Sequence, residues 1–307
     1  MNTHGNNVIV AGVDGSPSST AAAMWAADEA QRRQAGLRLV QAYSVSVGFA
    51  GPGVMIPTNI FDDVRQWAKT VLTSVADAVR DAHPDLDIDV QLRHDVPFVA
   101  LREAGSHALM TVVGTHGTSA IMDSLVGSIP VRLATHGPGP VVVIRADPSV
   151  APALNRGPVL VGFDGSADSE RALSFAFEEA SLRGTPLVAL HCWGDRSDSF
   201  RLPYPPESCD DAAQEPLLRR VQIAELLSGW SDKYPDVRVQ PVTRDGQPAA
   251  EILRYCQHGD EADRPAMIVV GSRGHGGFAG LLLGSTSQAL IAHSSCPLVI
   301  IRGAAES

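Results

Sequence analysis

Two segments of the chain share one spacing of glycines and serine. GTHGTSAIMDSLVGS runs from Gly114 to Ser128, and GSRGHGGFAGLLLGS from Gly271 to Ser285. In both, a glycine is followed after two residues by a second, and after nine more by Gly-Ser. Each copy continues an apolar run, MTVVG or MIVVG. Glycine at a strand end permits close approach of another group. Gly-Ser ahead of a helix offers unpaired amides and a hydroxyl to an anion such as phosphate. A shared turn geometry would also preserve glycines. The residues between them differ heavily, so the duplication itself singles out Gly114, Gly117, Gly127 and Ser128, with Gly271, Gly274, Gly284 and Ser285.

A second repeated group is GVDGS, Gly12 to Ser16, with GFDGS, Gly162 to Ser166. Asp14 and Asp164 fall at the end of a first strand, the central place in a doubly wound sheet. A carboxylate there accepts hydrogen bonds from ribose hydroxyls or lies near a phosphate-bound Mg²⁺. D-G-S equally suits an Asx turn or a helix cap.

Other chemistry is missing. The chain lacks G-x-x-x-x-G-K-[ST] and lacks G-x-G-x-x-G after the first strand, so neither a P-loop nor a dinucleotide fingerprint is present. GVDGSPSS is similar to the loop of ATP pyrophosphatases but lacks its double glycine. No Ser-His-Asp order recurs in both halves, and no cluster has zinc-ligand spacing. His116 and His275 stand at unequal offsets in their segments and are read as polar loop residues. No catalytic residue is assigned, and no metal ligand from protein side chains alone.

These residues need elements to hold them. VIVAGVDGSPSSTAAAMWAADEA, Val8 to Ala30, matches PVLVGFDGSADSERALSFAFEEA, Pro158 to Ala180. The repeat extends to LRLVQAY and LVALHCW, and to PVVVIR and PLVIIR. An insertion in the second copy falls around Gln257 to Pro265. The first copy predicts strands over Val8–Val13, Leu37–Tyr43, Asp87–Arg93, Leu109–Gly114 and Pro140–Arg145. It predicts helices over Ser18–Arg33, Phe61–His83, Phe98–Ala108 and from Ser128, with Ser16 or Ser18 as first cap. Alternating strands and helices give a parallel sheet covered on both faces. The fold class is α/β: two tandem doubly wound, five-stranded parallel-sheet domains, Rossmann-like. Residues 1–147 form the first and 156–307 the second, joined by the proline-containing stretch Asp147 to Gly157. The irregular stretches Ser44–Asn59 and Gly194–Asp211 follow the second strand, either covering the site or serving as plain loops.

Composition narrows the classes. The 307 residues carry a formal charge of −10 and only two lysines, Lys69 and Lys233, which excludes a nucleic-acid backbone binder. Bulk charge leaves a single nucleotide open, because backbone amides hold phosphates without it. Cys192, Cys209, Cys256 and Cys296 all lie in the second half and form no C-x-x-C, so they are read as reduced thiols. No membrane-spanning or targeting segment is apparent, and the location expected is cytoplasmic.

Together, V-x-V-G/A-x-D-G-S, the VVG before the glycine segment and G-x2-G-x9-G-S in both halves resemble the universal stress protein family in its tandem form (adenine nucleotide alpha hydrolase-like). The glycine motif is that of the ATP-binding branch. The resemblance implies ATP, with Mg²⁺ carried on its phosphates near Asp14 and Asp164, and one nucleotide per domain. The first site would comprise Gly12, Asp14, Ala42, Gly114, Thr115, His116, Gly117, Thr118, Ser119, Gly127 and Ser128. The second would comprise Gly162, Asp164, Cys192, Gly271, Ser272, Arg273, Gly274, His275, Gly276, Gly277, Gly284, Ser285 and Thr286. Ala42 and Cys192 would lie near adenine. The implied role is a stress-response regulatory module, with regulatory protein partners and a homodimer as further expectations; a slow ATPase or nucleotide-transfer enzyme is the alternative. The copies differ where Arg273 replaces His116, and where Thr286-Ser287 replaces Ile129-Pro130. Pro130 lacks an amide donor, so the second site is expected to be the stronger.

Overall fold

The computed structural model describes residues 7–44, 60–115, 117, 127–145, 157–193, 215–257, 264–274 and 282–303. The chain divides into two units, Met1–Ala146 and Asp147–Ser307. The first contains β1 (Val8–Gly12), α1 (Pro17–Arg33), β2 (Gly36–Tyr43), α2 (Ile60–Ala82), β3 (Ile88–His94), α3 (Pro97–Ala104), β4 (Met110–Gly114), α4 (Ser128–His136) and β5 (Val141–Ile144). The second repeats the order as β6 (Val159–Gly162), α5 (Ala167–Arg183), β7 (Leu187–Trp193), α6 (Glu215–Lys233), β8 (Val239–Asp245), α7 (Pro248–Gln257), β9 (Met267–Gly271), α8 (Ser285–His293) and β10 (Leu298–Ile301).

Within the first unit the strands lie in the order β3-β2-β1-β4-β5, and within the second β8-β7-β6-β9-β10. The described pairings inside each unit are parallel; Ile9, for example, faces Leu37 of β2 and Met110 of β4. The chain steps outward from β1 to β2 and then crosses back to β4. This puts the reversal of winding beside β1 and beside β6, where a crevice opens at the carboxyl ends.

Burial explains the strand sequences. Val8, Ile9, Val10 and Ala11 of β1 are all buried, as are Met267 to Val270 of β9. Such continuous apolar runs suit strands covered by helices on both faces. α1 buries a small-residue stripe, Ala22, Ala23, Ala26, Ala27 and Ala30, which lets it lie close to the sheet. α2 buries Ala68, Leu72, Val75, Ala76 and Val79, whereas Phe61, on the same stripe by spacing, is exposed. α3 ends at Ala104, short of the expected Ala108. A β-carbon at Gly105 would lie 2.5 Å from Thr111 Oγ1, so the chain turns there tightly against β4.

The ends of α1 and α5 differ. Both stop on a left-handed residue, but α5 uses Gly184 (φ 62°) and α1 uses Gln34 (φ 52°). Gln34 is the sole non-glycine residue with positive φ among those described.

Candidate functional site

The same turn closes β1 and β6. Asp14 Oδ1 accepts the Ser16 amide at 3.0 Å, and Asp164 Oδ1 accepts the Ser166 amide at 3.0 Å. Between them, Gly15 and Gly165 take φ values of 85° and 81°, which strain any residue bearing a β-carbon. Ser16, rather than Ser18, caps α1, its Oγ accepting from Ser19 N at 3.2 Å; Ser166 caps α5 in the same way. The Asx turn and cap suggested by D-G-S are therefore present.

That turn uses one carboxylate oxygen and aims the other at the glycine segment. A β-carbon on Gly117 would lie 2.7 Å from Asp14 Oδ2, and one on Gly274 would meet Asp164 Oδ2 still closer. Next in line, a β-carbon on Gly127 would lie 3.9 Å from the Gly117 amide nitrogen, and one on Gly284 3.8 Å from that of Gly274. Asp14, Gly117 and Gly127 thus adjoin in series, as do Asp164, Gly274 and Gly284.

Ser128 and Ser285 open α4 and α8, and neither Gly127 nor Gly284 brings a side chain to cap those helices. The Gly127 amide itself is taken by Thr115 O at 2.9 Å, and that of Gly284 by Ser272 O at 2.8 Å. The donors left for an anion are the first-turn amides that follow: Ser128 and Ile129 in the first unit, and Ser285, Thr286 and Ser287 in the second. Their partial positive charge forms the positive end of the helix dipole.

The remaining glycines act on packing. A β-carbon at Gly114 would lie 2.6 Å from Ser18 C, and one at Gly271 would lie 2.9 Å from Asp168 Cβ. These two let the first turns of α1 and α5 ride on β4 and β9. Gly12 and Gly162 face Leu101 of α3 and Ile252 of α7, at 3.0 and 2.9 Å from the same hypothetical atom. His116, Thr118, Ser119, His275, Gly276 and Gly277 lie outside the described residues. So do residues 45–59 and 194–214, which include nearly all of both stretches expected to flank the site.

Ala42 and Cys192 stand near the ends of β2 and β7, one strand over from the aspartates. Burial, together with the Glu251 charge, pushes the Cys192 thiol up to about 12, against the opposing charge of Arg244, so the thiol is neutral near pH 7. Behind it His191 is buried, with Nδ1 3.0 Å from Phe163 O; Gln41 holds the matching place in the first unit.

Sequence reading passed over Asp168. This carboxylate, 5% exposed, accepts from Ser272 Oγ at 2.8 Å and from Arg171 Nη2 at 2.5 Å, and Arg273 Nε lies 3.7 Å away. Burial alone would raise its pKa. The hydrogen bonds from Ser272 and Arg171, with the charges of Arg171 and Arg273, outweigh burial and hold it below 3.8. The signal was available: Ser18 occupies the matching position in the first copy.

Each unit therefore sets a carboxylate acceptor and a group of amide donors around a glycine turn. That arrangement suits a ligand with hydroxyls at one end and an anion at the other. Among the described residues, no group of three or more His, Cys, Asp or Glu could hold a metal, and no helix is long and apolar enough to cross a membrane.

Fold and site define a doubly wound α/β protein with a glycine turn beside a first-strand carboxylate at each switch point. The universal stress protein family model matches residues 5–145 and again 155–302. A universal stress protein of Mycolicibacterium smegmatis is 37% identical over 297 residues, covering 96% of each chain. The chain belongs to the universal stress protein family, with two such domains in tandem. In structure it is similar to a universal stress protein from Archaeoglobus fulgidus, with TM-score 0.68 and 20% identity, covering 97% of this chain and 98% of that one. A shorter universal stress protein, solved in complex with cAMP, aligns with 46% of this chain and 96% of its own at 25% identity and TM-score 0.34.

Proposed function

We propose that each unit binds one adenine nucleotide, ATP with Mg²⁺ on its phosphates, and that the protein is a regulatory module whose state partners read. The observation that carries this is the repeated contact between the first-strand carboxylate and the second glycine of the segment. In both units the second carboxylate oxygen of an aspartate already held by a turn faces a glycine, where an added methyl group would press on that oxygen. Asp14 and Asp164 would accept from ribose hydroxyls. The amides after Gly127 and Gly284 would take the phosphates, and Ala42 and Cys192 would line the base. Mg²⁺ would add charge neutralisation along the phosphates.

Denaturing the purified protein and weighing what it releases tests this directly. The expected result is an adenine nucleotide at up to two per chain. Calorimetry of stripped protein should resolve two unequal phases, with Gly274→Ala removing the tighter and Gly117→Ala the weaker. Neither substitution changing ATP binding would leave the glycines as turn formers and sink the proposal. Incubation with ATP and separation of products measures turnover, which should be slow, because beyond Asp14 and Asp164 no described residue repeated in both units stands ready to activate water.

A further inference from the structure

The two units part company beneath the glycine segment. In the second, Asp168 sits in the first turn of α5 and gathers four groups. Its Oδ2 accepts from Ser272 Oγ and lies 3.7 Å from Arg273 Nε. Its Oδ1 accepts from Arg171 Nη2 and, at 3.2 Å, from the Gly303 amide. Ser272 and Arg273 are the two residues between Gly271 and Gly274, so one carboxylate grips both members of the turn whose next residue faces Asp164. In the first unit the matching place holds Ser18, an uncharged hydroxyl, and the matching turn holds Thr115 and His116.

The edge of the guanidinium that Asp168 engages matters. An arginine has five N–H donors in a planar fork, and Nε is only one of them. The contact with the carboxylate, at 3.7 Å, is made through Nε, the nitrogen nearest the stem of the fork. The Arg273 side chain remains 56% exposed, whereas Ser272 is buried. Two Nη groups on one rigid plane match paired phosphate oxygens.

We propose that Asp168 is a positioning residue of the second unit: it sets Arg273 so that its Nη groups meet the phosphate chain, giving that site a stronger preference for ATP over adenosine than the first. This rests on reading each unit as an adenine nucleotide site. Asp168 acts through Arg273 and Ser272 and touches no ligand itself. Its carboxyl stays ionised throughout the neutral range, because the cations and hydroxyl around it favour the charged form.

The test is two-phase calorimetry of the full chain with ATP and, separately, adenosine. The variants are Asp168→Ser, which copies the first unit, the nearly isosteric Asp168→Asn, Arg273→Ala, and the double variant Asp168→Asn with Arg273→Ala. ATP affinity at the second site should fall about tenfold in each single variant, the size of one lost hydrogen bond to a charged group. Adenosine affinity there, and both ligands at the first site, should stay unchanged. The double variant should lose no more than Arg273→Ala alone, since the two act as a unit. Equal loss of ATP and adenosine would mean that Asp168 only braces the fold, and an unchanged ATP-to-adenosine ratio or additive losses would also overturn the proposal. Should Asp168→Ser melt early by circular dichroism, Asp168→Asn and the double variant decide. Wild-type protein that binds neither ligand would instead overturn the nucleotide reading, and this inference with it.

Discussion

The two units hold the same backbone turn with different chemistry around it. Both have an Asx turn on the first-strand aspartate, a serine cap and a glycine facing the second carboxylate oxygen. Around that common frame the first unit places Ser18 and Pro130, and the second Asp168 and Ser287. Ser287 Oγ donates to Gly271 O at 2.7 Å, tying α8 to the end of β9. Pro130 has no amide to offer and no hydroxyl to bond with. A duplicated chain can thus keep its geometry while its electrostatics drift, and identical motifs need not mean equal sites.

Several substitutions would break or sharpen that contrast. Gly114→Ala should be the most damaging. Its β-carbon would press on two backbone atoms, Ser18 C at 2.6 Å and Ser19 N at 2.8 Å, which cannot rotate away as the Ser18 hydroxyl could. A loss of about 3 kcal/mol, the upper end for overpacking, is expected. Gly271→Ala meets its nearest atoms at 2.9 and 3.0 Å and should cost about 1–2 kcal/mol. Urea denaturation with hydrogen exchange resolved by peptide measures both; equal losses would show that α1 and α5 sit alike on their strands.

Asp14→Ala and Asp164→Ala should each weaken ATP at their own site by about ten- to a hundredfold, or about 1.5–3 kcal/mol. Some stability is lost as well, because each aspartate also holds its turn. Calorimetry of the single and double variants separates the sites. A double variant that folds and retains its nucleotide would leave the aspartates as turn formers alone.

The acid limb of stability should also differ between units. Asp168 has a folded pKa below its ordinary value, so the stability it contributes is present above the unfolded pKa. It is lost as pH falls through the folded one. Denaturation midpoints from about pH 5 down to about pH 2 should fall for the second unit, and Asp168→Asn should flatten that slope. An unchanged slope would mean that other carboxylates govern the acid transition.

The smallest effect concerns the ends of α1 and α5. Gln34 adopts a left-handed conformation that Gly184 adopts without strain. Gln34→Gly should stabilise the first unit by about 0.5–1 kcal/mol, the left-handed penalty less the added freedom of glycine in the unfolded chain. A loss of stability in the same denaturation assay would show that the Gln34 side chain contributes more than its backbone costs.

Sequence reading reached the strands, the helices and the doubled turn because each has a local signature. β1 is a buried apolar run, α1 an alanine stripe after a capping serine, and G-x2-G-x9-G-S a fixed spacing. Helix ends were harder to place: α3 stops at Ala104 where Gly105 packs on Thr111 of the following strand, a tertiary contact that no residue type announces. The roles of individual glycines were hidden for the same reason. Gly114 and Gly117 look equivalent on paper, yet one makes room for a helix and the other for a carboxylate. Asp168 was overlooked because its partners, Ser272 and Arg273, are more than a hundred residues distant. Comparing Ser18 with its counterpart would have exposed the difference.

If the proposed nucleotide sites hold, the turn at Asp14 and Asp164 bears on how tightly a ligand would be held. An acceptor that must be immobilised on binding costs about 0.5–1.5 kcal/mol of rotamer freedom. Here folding has already frozen the side chain, because Oδ1 is committed to the amide two residues on before any ligand arrives. An acceptor held this way in each unit would need little reordering on capture, and the free and loaded turns should superpose. Any difference between states that a partner detects would then have to arise elsewhere than in this carboxylate.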